Sequence, residues 1–219
     1  MRYEIKGDNF PIIQCYLEEG EAMKNQGGSM VWMSSNMVMS TNAGGGFSRW
    51  ATGEKIFQNI YTAQNGPGEI TFGSTLPGSI CPIRIANSSM IFQKKAFLAS
   101  TMDVNISLKI NGLKNGIFGG EGFAMQRFSG SGIVFIEIDG AFINYNLGPE
   151  EKVIVSTGSV AGFDESVKMD IQAVKGISNV LFGSEGLFFT TLTGPGRVFL
   201  QTMPMSTIAG AIAPYFSKK

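Results

Sequence analysis

This 219-residue chain predicts an all-β fold of three similar antiparallel, sandwich-like modules set around an approximate threefold axis. Three observations carry that prediction: a glycine-punctuated unit that recurs at a shift of 64 residues, apolar alternation of period two inside the copies, and very little helical pattern. Residues 117–137 read IFGGEGFAMQRFSGSGIVFIE and residues 181–201 read LFGSEGLFFTTLTGPGRVFLQ. Without a gap, Phe118, Gly119, Glu121, Gly122, Gly130, Gly132, Val134 and Phe135 fall on Phe182, Gly183, Glu185, Gly186, Gly194, Gly196, Val198 and Phe199. The same shift carries Gly130 to Gly66 inside GPGEITFG, and Gly53 and Glu54 answer Gly120 and Glu121 if three extra residues precede Gly66. Upstream, GSMV at 28–31, KAFL at 95–98 and GSVA at 158–161 occupy corresponding places.

A period in the sixties exceeds that of the usual solenoids, so each copy reads as a multi-stranded module rather than one turn of a coil. The predicted organisation is one compact domain over residues 1–208, with modules at about 1–76, 77–138 and 139–204, and a tail at 205–219. Within the modules, Val104, Ile106, Leu108 and Ile110 alternate with Asp103, Asn105, Ser107 and Lys109, the signature of a half-buried strand, and VKMDIQA at 167–173 repeats it. β-rich runs flank Gly130/Gly132 and Gly194/Gly196, and glycine tolerates the positive φ of a tight turn, so each of these pairs reads as a hairpin, with Gly66 and Gly68 as the corresponding turn glycines of the first copy. One or two helical turns are predicted in GGFSRWAT at 45–52, and a short tail helix in MSTIAGAIAPYF at 205–216, ahead of Pro214.

Composition limits the chemistry. There is no histidine, which removes the commonest general base and metal ligand. Lys plus Arg and Asp plus Glu are both 17, so no global basic field draws nucleic acid or an anionic membrane. Charged residues are 16%, against about 25% in ordinary soluble domains. So uncharged a surface predicts a homo-oligomer, and the methionine-rich run MVWMSSNMVMS suits adaptable apolar contact. Cys15 and Cys81 lack metal-ligand spacing and read as two buried thiols rather than a disulfide. No signal-peptide pattern and no uncharged apolar run of about 18 residues occurs, which predicts a soluble cytoplasmic protein with no membrane span.

The sharper chemical readings are each weighed against a structural one. The glycine clusters lack the Gly-Lys-Ser/Thr ending of a phosphate loop. Glu54, Glu121 and Glu185 hold equivalent places in the three copies, so they can gather near the axis around a hard cation such as Ca²⁺, but fixing a turn through backbone N–H groups is the leading reading. The neighbours Asp164 and Glu165, and Glu150 and Glu151, point to opposite faces of a strand and make no acid/base dyad, and Asp164 reads as a turn residue. Arg49 beside Trp50, and Lys94-Lys95 beside Phe97, are basic-aromatic pairings of the kind that stack bases, while Trp32 and Trp50 read first as packing anchors. No residue is assigned as catalytic and no cofactor is implied. The leading expectation is a non-enzymatic assembly or scaffold protein with an unknown protein partner. A small-molecule module with its site between modules comes second, and RNA binding trails both.

The segments GEGLFFTTLTGPGRVFLQTMPMSTIA, LGPEEKVIVSTGSVAGFDESV and GGGFSRWATGEKIFQNIYT resemble the signature segments of the mitochondrial biogenesis family named for altered inheritance of mitochondria, in the same order from about Leu17 to Ile208. The resemblance implies a fold like that of the tryptophan RNA-binding attenuation protein, a shortened double-stranded β-helix type with three fused modules in place of separate subunits. It implies no catalytic residues. Bacterial members of the family are mostly uncharacterised, and the association of mitochondrial members with inner-membrane organisation carries over poorly to a chain without a targeting presequence.

Overall fold

The computed structural model describes residues 1–25, 27–42, 58–109, 124–173 and 188–216. Most of them lie in strands, in antiparallel pairs, and the chain divides into two compact units. The first comprises Met1–Ser88, Lys95–Ile106 and Phe128–Ile138; the second comprises Ser89–Lys94, Ser107–Arg127 and Asp139–Lys219. The expected middle module, 77–138, is thus shared between the two units.

In the first unit, β1 (Arg2–Lys6), β2 (Ile12–Leu17), β4 (Met30–Met33) and β7 (Gly68–Gly73) form one sheet in the order β1-β2-β7-β4. A second run pairs β9 (Phe97–Thr101), β3 (Ala22–Asn25), β6 (Gln58–Ala63) and β5 (Met37–Asn42), with the Val134–Ile136 stretch of β11 (Met125–Asp139) lying against β9. Strand β2 shows how the sequence makes the sandwich. Ile13, Cys15 and Leu17 are buried and the residues between them are not, so one face of the pleat turns inward. Those three meet Met23, Met37, Tyr61, Ala63, Ile70, Phe72, Leu98, Ala99 and Phe135 in one core drawn from both sheets. Tyr61 and Phe72 stand edge to face across it at 5.9 Å, the geometry that aromatic quadrupoles favour.

The second unit repeats the scheme. β12 (Phe142–Leu147), β17 (Gly196–Gln201), β14 (Val160–Asp164) and the Met90–Phe92 part of β8 (Gly78–Gln93) form one layer. β13 (Lys152–Ser156), β16 (Phe188–Thr193) and β15 (Lys168–Ala173) form the other. Ile91, Leu147, Val160, Phe163, Val167, Leu192 and Val198 fill the space between them. The strands expected from the alternation at 103–110 and 167–173 are β10 (Val104–Lys109) and β15.

The expected hairpins are not formed. β6 and β7, which flank Gly66 and Gly68, lie in different sheets, as do β16 and β17, which flank Gly194 and Gly196. Each of these two glycine pairs therefore makes a corner that carries the chain from one layer of its sandwich to the other. Gly66 and Gly196 have φ of +117° and +141°, so glycine is needed for a corner as it would be for a hairpin, and the sequence signal is the same. At Gly130 and Gly132 the chain runs on as the single strand β11, with φ of +100° and +157°. At Gly130 an added Cβ would run into the backbone oxygen of Asp103.

Two short 3₁₀ turns precede strands: η1 (Lys94–Ala96) before β9 and η2 (Thr157–Ser159) before β14. The expected tail helix is α1 (Met205–Phe216), which runs through Pro214 rather than stopping ahead of it. The turns expected at 45–52 lie outside the described residues.

Polar burial is limited and specific. Lys24, almost fully buried, donates from Nζ to the carbonyl oxygens of Met102 at 3.1 Å and Val104 at 2.5 Å, and so ties β3 to the turn between β9 and β10. Burial lowers its pKa from the ordinary lysine value, opposed by the nearby carboxylate of Asp103. In the second unit the Thr157 and Thr190 hydroxyls share a buried hydrogen bond of 2.9 Å. Gln93 donates to the Val160 carbonyl at 2.5 Å, and Gln201 to the Gly158 carbonyl at 2.9 Å, so two side chains close the backbone groups around η2.

Two predictions follow from this packing. At Gly162 an added Cβ would lie 2.6 Å from the Ile91 carbonyl oxygen and closer still to the Phe92 ring. Gly162→Ala is expected to destabilise the protein by about 2 kcal/mol or more, read as a lowered urea midpoint. The buried Cys15 thiol has its pKa pushed up to about 12 by desolvation, whereas Cys81 is only half-buried. With a thiol reagent at pH 8, peptide mass spectrometry should find Cys81 modified in the folded protein and Cys15 modified only after denaturation.

Candidate functional site

The residues that carried the sharpest chemical readings fare differently. Glu54, Glu121 and Glu185 lie outside the described residues, as do Arg49 and Trp50. Among the described residues no group of three or more His, Cys, Asp or Glu side chains could hold a metal ion. Asp164 and Glu165 serve two different arginines. The Asp164 carboxylate accepts from the Arg197 backbone N–H at 2.8 Å and from Nε and Nη2 at 3.0 Å each, which ties the end of β14 to β17. Glu165 takes Nε of Arg127 at 2.9 Å, and the same guanidinium reaches the Ser89 hydroxyl at 2.6 Å. Both carboxylates are held as structural ties within the second unit. Glu151 accepts from the Gly148 N–H at 2.8 Å and shapes the turn before β13.

The nucleic-acid pairing at Lys94, Lys95 and Phe97 is corrected by burial. The two lysines are exposed, but Phe97 is buried and packs on Phe128 at 5.6 Å, so no base can reach its ring. Trp32 is corrected in the opposite sense. It is 45% exposed on β4, its indole N–H donating to Glu69 at 3.1 Å, and it anchors no core.

What the fold leaves on display is a set of strand edges. An edge strand offers unpaired N–H and C=O groups to any extended chain, and proteins usually guard such edges with charge or proline. The edge strand β1 carries Arg2, Glu4 and Lys6, with Glu4 ion-paired to both cations. β15 carries Lys168 and Asp170. By contrast β12 (FINYNL) at the end of its layer, β5 (MVMSTN) at the end of its own, and β4 (MVWM) contain no charged residue and no proline.

β12 is the barest of these. It is paired to β17 from Phe142 against Gln201 to Leu147 against Gly196. Phe142 stacks on Phe199 at 5.8 Å, and Phe199 in turn packs on Phe92 at 5.3 Å, while Leu147 is buried at the other end. Both ends of the strand are therefore pinned, yet Ile143, Asn144, Tyr145 and Asn146 between them are all exposed. Since successive side chains point to opposite faces, neither face of this segment is covered. On β5, Met37 enters the core and Val38 and Met39 are 44% and 51% exposed. The methionine-rich run singled out in the sequence, residues 30–40, contains β4 and the first four residues of β5. β12 went unnoticed there, although six residues without charge, glycine or proline between turn residues are a legible edge-strand signal.

Residues 3–203 match the family model described as Mitochondrial biogenesis AIM24. The chain is 22% identical over 234 residues to an uncharacterised protein of Streptococcus pyogenes serotype M6, covering 98% of this chain and 91% of that protein. It is also similar to a Streptococcus pyogenes protein solved by X-ray crystallography, with a TM-score of 0.81 and 22% identity over 98% of this chain and 99% of that one. At that identity the likeness is one of fold.

Proposed function

Because the chain belongs to the AIM24 mitochondrial biogenesis family, whose matched relative is uncharacterised, we propose from its own surface that it is a non-enzymatic, cytoplasmic assembly protein that works as a homo-oligomer. The observation that carries this reading is β12, a strand pinned at both ends and bare along its middle, with no charge to keep a second chain away. The partner edge is the same strand of a second copy, because a twofold contact is the commonest way for identical chains to close. With Asn144 opposite Asn144, antiparallel pairing sets Ile143 against Tyr145 in both directions, a β-branched–aromatic pair worth about 0.2–1 kcal/mol at each crossing. The backbone hydrogen bonds of the joined edge add to that.

Three fused modules, in the manner of the tryptophan RNA-binding attenuation protein, are the architecture we assign to this scaffold. The order of elements supports it. A shift of 64 residues sets β10, Val104–Lys109, on β15, Lys168–Ala173, and sets Gly68 at the head of β7 on Gly132 in β11 and Gly196 at the head of β17. η1 with β9 answers η2 with β14.

Native mass spectrometry tests the reading. The wild-type protein should appear as a defined oligomer without added mass. Ile143→Lys with Tyr145→Lys should shift it to monomer while the circular dichroism stays unchanged, because both side chains are already in solvent. Ile154→Lys, on β13, where the side chain is still more exposed but the strand begins with Lys152, should leave the oligomer intact. A wild-type monomer, or an oligomer indifferent to the β12 changes, overturns the proposal, and a discrete bound mass points instead to a ligand-binding protein.

A further inference from the structure

Helix α1 is a separate problem from the strand edges. Its twelve residues, MSTIAGAIAPYF, contain no charged side chain. At 100° per residue, Met205, Ile208, Ala209, Ile212, Tyr215 and Phe216 fall within an arc of about 120°, so the helix has a defined apolar face. That face is not packed away. Met205 is 39% exposed, Ile212 49%, Tyr215 86% and Phe216 83%, and Ile208 alone among the large ones is half-buried. A helix this short, with Gly210 and Pro214 inside it, does not hold in water on its own propensity. Something else must cover the apolar arc.

The charges around α1 identify the cover. Residues 186–216 contain no Asp or Glu, whereas Lys218 and Lys219 come two and three residues after Phe216. An uncharged apolar arc ending in two aromatic rings, with two lysines directly beyond, is the chemistry of a helix lying in a lipid interface. Aromatic rings favour headgroup depth, and lysine ammonium groups favour lipid phosphates. Its length of about 18 Å falls short of the roughly 30 Å hydrocarbon layer, so it lies along a bilayer rather than across one. In keeping with that, no helix among the described residues is long and apolar enough to cross a membrane. We infer that α1 is a reversible anchor to a membrane surface bearing anionic headgroups, with its Met205–Phe216 apolar arc turned into the lipid.

Vesicle flotation with the full-length protein tests this. Vesicles of phosphatidylcholine mixed with phosphatidylglycerol should carry the protein upward, and vesicles of phosphatidylcholine alone should carry much less. Ile212→Ser with Phe216→Ser should weaken binding about tenfold or more, because two large side chains leave the lipid. Lys218→Glu with Lys219→Glu should abolish the preference for anionic vesicles. Protein truncated after Pro204 should stay at the bottom while retaining its β circular dichroism. The Ile143→Lys, Tyr145→Lys variant should still float, which separates this inference from the oligomer proposal. Full-length protein that remains at the bottom with anionic vesicles overturns it. So does a truncated form that loses oligomeric mass from a parent that never floated, since α1 then covers itself on a second copy.

Discussion

Within each sandwich the layers are joined by glycine corners, and the cores depend on them. At Gly66 to Gly68 the chain leaves β6 and enters β7 of the opposite sheet, and at Gly194 to Gly196 it passes likewise from β16 to β17. Only a backbone free to take positive φ changes sheets in so few residues. The corner after β6 lets Tyr61 and Phe72, eleven positions apart, meet edge to face across the first core. The corner after β16 puts Leu192 and Val198 into the second core from opposite layers. A hairpin at either place would leave both strands in one sheet with an uncovered apolar face.

Polar groups inside these sandwiches serve the same end. Lys24 meets two carbonyls at the turn between β9 and β10, and Gln93 and Gln201 close the carbonyls around η2, because turns that enter a core carry backbone groups which water no longer reaches. The carboxylates of Asp164 and Glu165 are occupied by arginines. These carboxylates and buried polar side chains hold strands and turns, and the surface also carries bare strand edges and one apolar helix.

Those leftovers divide by charge. Where a strand edge is guarded, as in β1, paired charges hydrate it and repel a flat partner. Where it is not, as in β12, the open hydrogen-bonding edge and the exposed Ile143 and Tyr145 favour association. Helix α1 has the same lack of charge within it but cations beyond it, so a surface of negative phosphates suits it better than an uncharged strand edge does.

Much of this was legible from residue order. Alternation in DVNISLKI and VKMDIQA specified strands, because a period of two has no other regular solution; the glycine pairs specified abrupt changes of direction, because positive φ is needed there; and MSTIAGAIAPYF specified a helix. The sequence by itself determined an all-β chain, the strands β10 and β15, its shortage of charge and its family. Which strands pair was decided only in three dimensions. A Gly-x-Gly corner and a Gly-x-Gly hairpin read alike along the chain, and the choice between them rests on apolar faces contributed by distant strands. Burial was decided there too. Phe97 and Trp32 are both aromatic residues in strands, and packing on Phe128 hides the first while an edge position in β4 leaves the second in solvent. Exposure belongs to the neighbours a residue finds, and residue order does not name them.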